Sequence, residues 1–136
     1  MSCNFIIDTY AWIEYFKASK MGETAKQYIE SERAVTPTIV VSEVSRKLAK
    51  DIEIGNETVE GRHKRLDFIK AMSRIVELDF ETAVKAGEAN SQLESQAKGW
   101  GLVDSIIFCT AKKLNGKVVT GDKHFRSLTD VIFLKE

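Results

Sequence analysis

The feature that most constrains this chain is the alternation of very short apolar runs with segments whose apolar residues recur at helical spacing. Asn4-Phe5-Ile6-Ile7 is such a run, ended by Asp8. It reads as a buried parallel strand, because a strand covered on both faces is apolar throughout instead of alternating. From Thr9 the pattern changes, and Trp12, Ile13 and Phe16 predict a helix. Met21, Ala25, Tyr28 and Ile29 place a second helix over residues 20–32, and Ala34-Val35 is a second strand. Thr36-Pro37 then predicts a helix start, with Thr36 as N-cap and Pro37 at the first helical position, where its missing N–H costs nothing. Val40, Val41, Val44 and Leu48 share a face of that helix, which should run to about Lys50.

Residues 51–62 are polar and fit a loop or a loosely packed helix start. Leu66, Ile69, Met72 and Ser73 predict a helix, and Ile75-Val76-Glu77-Leu78 a strand. Asp79 can cap the next helix, whose Phe80, Ala83, Val84, Gly87, Asn90 and Leu93 should share a face. Lys98-Gly99-Trp100-Gly101 interrupts it, and Trp100, between two glycines, is the aromatic most open to exposure. A strong helix carries Val103, Ile106, Ile107, Thr110, Ala111 and Leu114, and Asn115-Gly116 ends it. Residues 117–120 and 131–134 are the last strands, with a turn at Gly121-Asp122. Strands separated by helices predict an α/β fold with a parallel sheet covered on both faces. With no repeat and no linker, residues 1–136 read as one domain.

Composition narrows the functional classes. Of 136 residues 43% are apolar, so the chain can bury a real core, and disorder is excluded. Lys+Arg and Asp+Glu both number 20, so the formal net charge is zero. No global basic field announces a nucleic-acid partner, and any such partner must be held by local patches or by metal ions. The start has no basic segment before its apolar run, and no run approaches the ~18 residues that span a bilayer. Cys3 and Cys109 lack CxxC spacing and read as reduced. The expectation is a cytoplasmic protein with no membrane contact.

Ligands of open parallel sheets bind beyond the carboxyl ends of the strands. Asp8 follows the first strand and Asp122 the strand at residues 117–120; Glu43 and Asp104 sit on helices that border the same edge. Each has a plain structural reading as well. Asp104 suits the positive end of its helix. Glu43 precedes Lys47 by four residues, the orientation of a surface ion pair. Asp122 can cap a short helix through His124-Phe125. Asp8 is hardest to explain that way, since a carboxylate ending a buried strand needs a partner. If the four converge, they repel one another or demand a cation. With only His63 and His124 besides two scattered cysteines, a structural zinc site is disfavoured, and an oxygen-rich site suits Mg2+ or Mn2+. A carboxylate-held divalent pair is common apparatus for cleaving phosphodiesters.

Basic residues near these acids are candidate RNA contacts: Arg46 and Lys47 (with Lys50), Lys123, and the run Arg62-His63-Lys64-Arg65. For that run a solvated helix face is the competing reading. His124, which flanks Asp122 with Lys123 and Arg126, could approach phosphate, but reads as a surface histidine rather than a catalytic base. Tyr10, Trp12, Tyr15 and Phe16 read as core.

Taken in order, Ile6-Ile7-Asp8-Thr9, Val40-Val41-Ser42-Glu43-Val44, Gly101-Leu102-Val103-Asp104-Ser105-Ile106-Ile107 and Gly116-Lys117-Val118-Val119-Thr120-Gly121-Asp122-Lys123-His124-Phe125 resemble a PIN domain. Specifically, the chain resembles a small single-domain protein of the VapC type, the toxin ribonuclease of toxin–antitoxin pairs. The resemblance implies a three-layer α/β/α sandwich on a mainly parallel sheet of four to five strands. It implies a Mg2+- or Mn2+-dependent endoribonuclease in which Asp8, Glu43, Asp104 and Asp122 hold the metal and activate water. Thr120 would orient the last acid or the water. A homodimer and a cognate antitoxin that fills the groove are implied too. A PIN nuclease of RNA processing outside a toxin pair, or a PIN-like binding module without activity, share the same pattern. Residues 51–75 match no family motif. Receiver domains and haloacid-dehalogenase-type phosphatases fit less well: Thr9-Tyr10 follows Asp8 where those folds need a second acid.

Overall fold

The computed structural model describes residues 3–135; residues 1, 2 and 136 of the expected domain lie outside them. Five strands form one sheet: β1 (Asn4–Ile7), β2 (Ala34–Pro37), β3 (Arg74–Val76), β4 (Gly116–Thr120) and β5 (Val131–Phe133). Their order is β3-β2-β1-β4-β5, and every pairing is parallel. Six helices flank it: α1 (Thr9–Lys17), α2 (Lys20–Ile29), α3 (Thr38–Glu53), α4 (Val59–Met72), α5 (Phe80–Leu93) and α6 (Leu102–Lys113). A 3-10 turn, Lys123–Phe125, follows β4. This is the expected α/β/α sandwich.

The apolar runs become the strands because both faces of the central sheet are covered. Ile6, Ile7, Val35, Val118 and Val119 are fully buried, and Trp12, Ile29, Val40, Val44, Ile69 and Phe125 pack the helical layers around them. Helix α2 crosses α1 closely at Gly22, where a Cβ would collide with the Glu14 carbonyl, so only glycine permits this approach.

Strand order fixes where a ligand can sit. From β1 the chain builds β2 and β3 on one side, then returns to lay β4 and β5 on the other. The direction reverses between β1 and β4, which opens a crevice beyond their carboxyl ends. Asp8 and Asp122 emerge at that point.

Three local expectations are corrected. Thr36 is not a helix cap: it stays in β2, fully buried, where its hydroxyl accepts from Trp12 Nε1 at 3.1 Å and bonds Ser73 Oγ at 2.7 Å. Pro37 is the N-cap residue instead, and α3 begins at Thr38 and continues to Glu53. Helix α5 turns a different face inward. Thr82 and Ala86 are buried, whereas Phe80 is 85% exposed and Ala83, Val84 and Gly87 also face outward. Small side chains let α5 lie close against α6, which a phenylalanine at that seam would prevent. Third, Trp100 is 5% exposed, not open to solvent. Its Nε1 donates to Ser105 Oγ at 2.7 Å, and its ring meets Phe125 edge-on at 4.9 Å.

Candidate active site

Asp8 is the first residue past β1 and the N-cap of α1, so the fold plants its carboxyl at the sheet edge. Its Oδ1 accepts from the Ala11 N–H at 3.0 Å, and the side chain is almost wholly buried. Burial pushes its pKa from 3.8 up to about 7, opposed by hydrogen bonds from the Thr120 hydroxyl and the Ala11 N–H and reinforced by the charges of Asp122 and Glu43. Thr120, the last residue of β4, also accepts from the Asp122 N–H at 2.9 Å. One hydroxyl thus ties the ends of the two central strands together.

Glu43 comes from α3, and its Oε1 accepts a 2.6 Å hydrogen bond from Thr9, the residue after Asp8. The expected pair with Lys47 is absent: Lys47 bonds Asp51 at 3.0 Å, one turn further along α3. Asp104 lies in the first turn of α6 and caps it, accepting from the Gly101 N–H at 3.0 Å. Its carboxyl is half-buried and its pKa raised, chiefly by burial and also by Asp122 and Glu43; the Gly101 N–H and His124 pull the other way. Asp122 caps the 3-10 turn through the His124 N–H at 3.0 Å. The plain capping roles of Asp104 and Asp122 therefore coexist with their placement in the groove.

All four acids line one groove of about 390 Å³, together with Tyr10 and Arg46. A larger cavity of about 600 Å³ between α5 and α6 has no comparable convergence; its Lys85 pairs with Glu81, and its Lys113 with Asp79. Of the basic candidates, Arg46 and Lys47 both line the acidic groove, Lys47 while pairing with Asp51, and Lys123 is exposed beside Asp122. The run at residues 62–65 is divided. Arg62 donates to Ser45 Oγ, and Arg65 pairs with Glu57 and lies over the Phe16 ring; His63 and Lys64 face solvent. Tyr10 is 37% exposed at the groove, not core. Sequence reasoning placed His124 beside Asp122 but not against Asp104: its Nδ1 lies 3.3 Å from both Asp104 Oδ2 and Asp122 Oδ1. Its place two residues after an acid that caps a turn was the available signal.

The donor set fits a divalent cation. Four carboxylates line the groove, and burial raises the pKa of two of them, Asp8 and Asp104. The buried His124 Nδ1 makes no hydrogen bond, and with Asp104 and Asp122 it forms a group whose ligand atoms lie within 4.8 Å of one another. Crowded anions of this kind are relieved by a cation.

No helix among the described residues is long and apolar enough to cross a membrane. The fold is shared with solved structures of low sequence identity. A toxin–antitoxin complex from Klebsiella pneumoniae is 20% identical with a TM-score of 0.72, covering 99% of both chains. VapC20 of Mycobacterium tuberculosis, described as a sarcin-ricin loop cleaving toxin, is 16% identical with a TM-score of 0.71, over 97% of this chain and 100% of that one. VapBC-1 from nontypeable Haemophilus influenzae is 21% identical with a TM-score of 0.69, over 96% of each. No curated protein matches the chain. The sequence itself matches the PIN domain family over residues 5–131, and with the resemblance carried by its four acids this places the chain in that family.

Proposed function

We propose that the protein is a Mg2+- or Mn2+-dependent endoribonuclease and the toxin of a type II toxin–antitoxin pair. The observation that carries this reading is the meeting of Asp8, Glu43, Asp104 and Asp122 in one groove at the switch point of the sheet. A bound divalent cation would neutralise charge on the phosphodiester and make the attacking water more acidic. Asp8, Glu43, Asp104 and Asp122 are the residues to hold it.

The chain's own groups supply the rest. Thr120 holds the Asp8 carboxyl and the Asp122 backbone in register, so neither acid swings away as substrate enters. Thr9 fixes Glu43 through its 2.6 Å bond. Asp8, tied by the Thr120 hydroxyl and the Ala11 N–H, is held in place at the end of β1 to meet the cation. Attack of water at phosphorus then forms one P–O bond and breaks the bond to a ribose oxygen, which takes up the proton that the water gives up. Arg46 offers a phosphate contact at the groove wall and Lys123 another beside Asp122; Lys47 contributes less because Asp51 already binds it. Toxin–antitoxin complexes among the solved relatives support an antitoxin as partner, the family resemblance supports a homodimer, and the two free cysteines fit a cytoplasmic site of action.

A cleavage assay on single-stranded RNA tests the proposal. Wild type should cut with Mn2+ or Mg2+ and stop with EDTA, and Asp104→Asn should lose at least a hundredfold in rate while remaining folded. Activity that persists in EDTA would overturn it. Light scattering of the pure protein checks for the dimer, and co-expression with the product of the adjacent reading frame checks for the antitoxin.

A further inference from the structure

His124 is held so that one ring nitrogen faces two carboxylates. The 3-10 turn after β4 folds the imidazole back toward the first turn of α6. There Nδ1 stands 3.3 Å from Asp104 Oδ2 and 3.3 Å from Asp122 Oδ1. Behind the ring lies Gly99, where a Cβ would come within 2.7 Å of Nε2, so the absence of a side chain at that residue makes the space the ring occupies. Phe125, next in sequence, is fully buried against Trp100 and anchors the turn.

This arrangement is a poor hydrogen bond and a good ligand set. Nδ1 is buried and aligned with neither carboxylate as a donor. As a lone pair it would face two anionic oxygens, an arrangement that costs energy unless a proton or a metal ion lies among them. Two donors bound to one ion at about 2.1 Å and at 90–110° stand roughly 3.0–3.4 Å apart. The observed 3.3 Å spacings fall inside that range.

We propose that His124 Nδ1 is a nitrogen ligand of the cation, beside Asp104 and Asp122, and that it biases this site toward Mn2+ over Mg2+. The inference rests on the metal-dependent reading given above and adds a donor type to it. Mg2+ is held by oxygen and gains little from imidazole, whereas a nitrogen donor raises affinity along the first-row transition ions, least for Mn2+ and more for those that follow it. A nuclease of this design would draw on manganese where an all-carboxylate site would take magnesium.

The test needs no enzyme activity. The full chain is stripped with EDTA, loaded with Mn2+ and examined by pulsed electron paramagnetic resonance. Wild type should show a nitrogen coupling to the ion, and growth on 15N-histidine should change its frequencies. His63→Gln removes the only other histidine, on the exposed face of α4, and should leave the coupling in place. His124→Ala should lose it, with Mn2+ affinity falling tenfold or more and Mg2+ affinity changing less than threefold. Circular dichroism verifies that the variant is folded, and the wild-type spectrum stands without it. Mn2+ bound to wild type with no histidine nitrogen coupling overturns the proposal and leaves the carboxylate site intact. So does an equal loss of both ions in His124→Ala. If wild type binds neither ion, the metal-dependent reading fails, and this proposal falls with it.

Discussion

At the scale of single residues, Asp8 couples the site to the stability of the metal-free chain. Its carboxyl has a pKa of about 7 when folded and an ordinary 3.8 when exposed. The folded state therefore binds a proton that the unfolded state releases between roughly pH 4 and 7, and stability falls as pH rises through that window. Above pH 7 the loss is complete, with a ceiling on the order of 4 kcal/mol. Asp8→Asn keeps an oxygen to accept from Ala11 and cannot ionise. In EDTA the variant should be more stable than wild type at pH 8 and should lose less between pH 5 and 8, as read by urea denaturation. Parallel profiles for the two proteins would contradict the buried, raised carboxyl. Asp8 was legible in the sequence because an acid ending an apolar run has few innocent explanations. Glu43 and His124 were harder. The i,i+4 rule paired Glu43 with Lys47, yet Asp51 competes for that lysine and Thr9 reaches Glu43 across 34 positions of sequence. His124 looked like surface, since nothing local shows that Gly99 leaves room for its ring.

Among the elements, the strands and most helices could be read because their hydrophobic periods are simple, and the errors fall where packing depends on size. Helix α5 carries a larger apolar face than the one it buries. The period pointed to Phe80 and Val84, but the seam with α6 needs small residues and takes Thr82 and Ala86. Phe80→Ala should then change stability by about 0.5 kcal/mol or less. The segment at residues 98–101 gives the opposite contrast. Two glycines suggested an open loop, whereas Trp100 plugs the space between α6 and the 3-10 turn, bonding Ser105, which in turn bonds Asn90 of α5. Trp100→Ala should cost about 3–5 kcal/mol. Because Phe125 and Ser105 are both its partners, it should also loosen Asp104 and His124 and weaken Mn2+ binding. A Trp100→Ala protein as stable as Phe80→Ala would show that this plug contributes nothing.

For the whole molecule, a net charge of zero leaves substrate binding to local fields and to metal. Arg46 and Lys47 both line the groove, but Asp51 already pairs with Lys47, so Arg46→Gln should weaken RNA binding and flatten its dependence on salt more than Lys47→Gln does. Equal slopes in the two variants would move the RNA path toward Lys123. The acids at the switch point set the second global property. A ligand that binds only the folded state stabilises it by RT ln(1 + [L]/Kd), about 2.7 kcal/mol at a hundredfold excess over Kd. In a domain of this length each kcal/mol moves the melting temperature by roughly 3–5 °C, so saturating Mn2+ should raise it by on the order of 10 °C. Part of that gain is relief of repulsion, since Asp122 and Glu43 both act on Asp8 and Asp104. Asp8→Asn and Asp104→Asn remove a ligand and a repelling charge together. Each should therefore melt no lower than wild type in EDTA and gain much less from Mn2+. Melting curves of the three proteins with EDTA and with Mn2+ check this, and a shift equally large in all three would mean that the ion binds away from these acids.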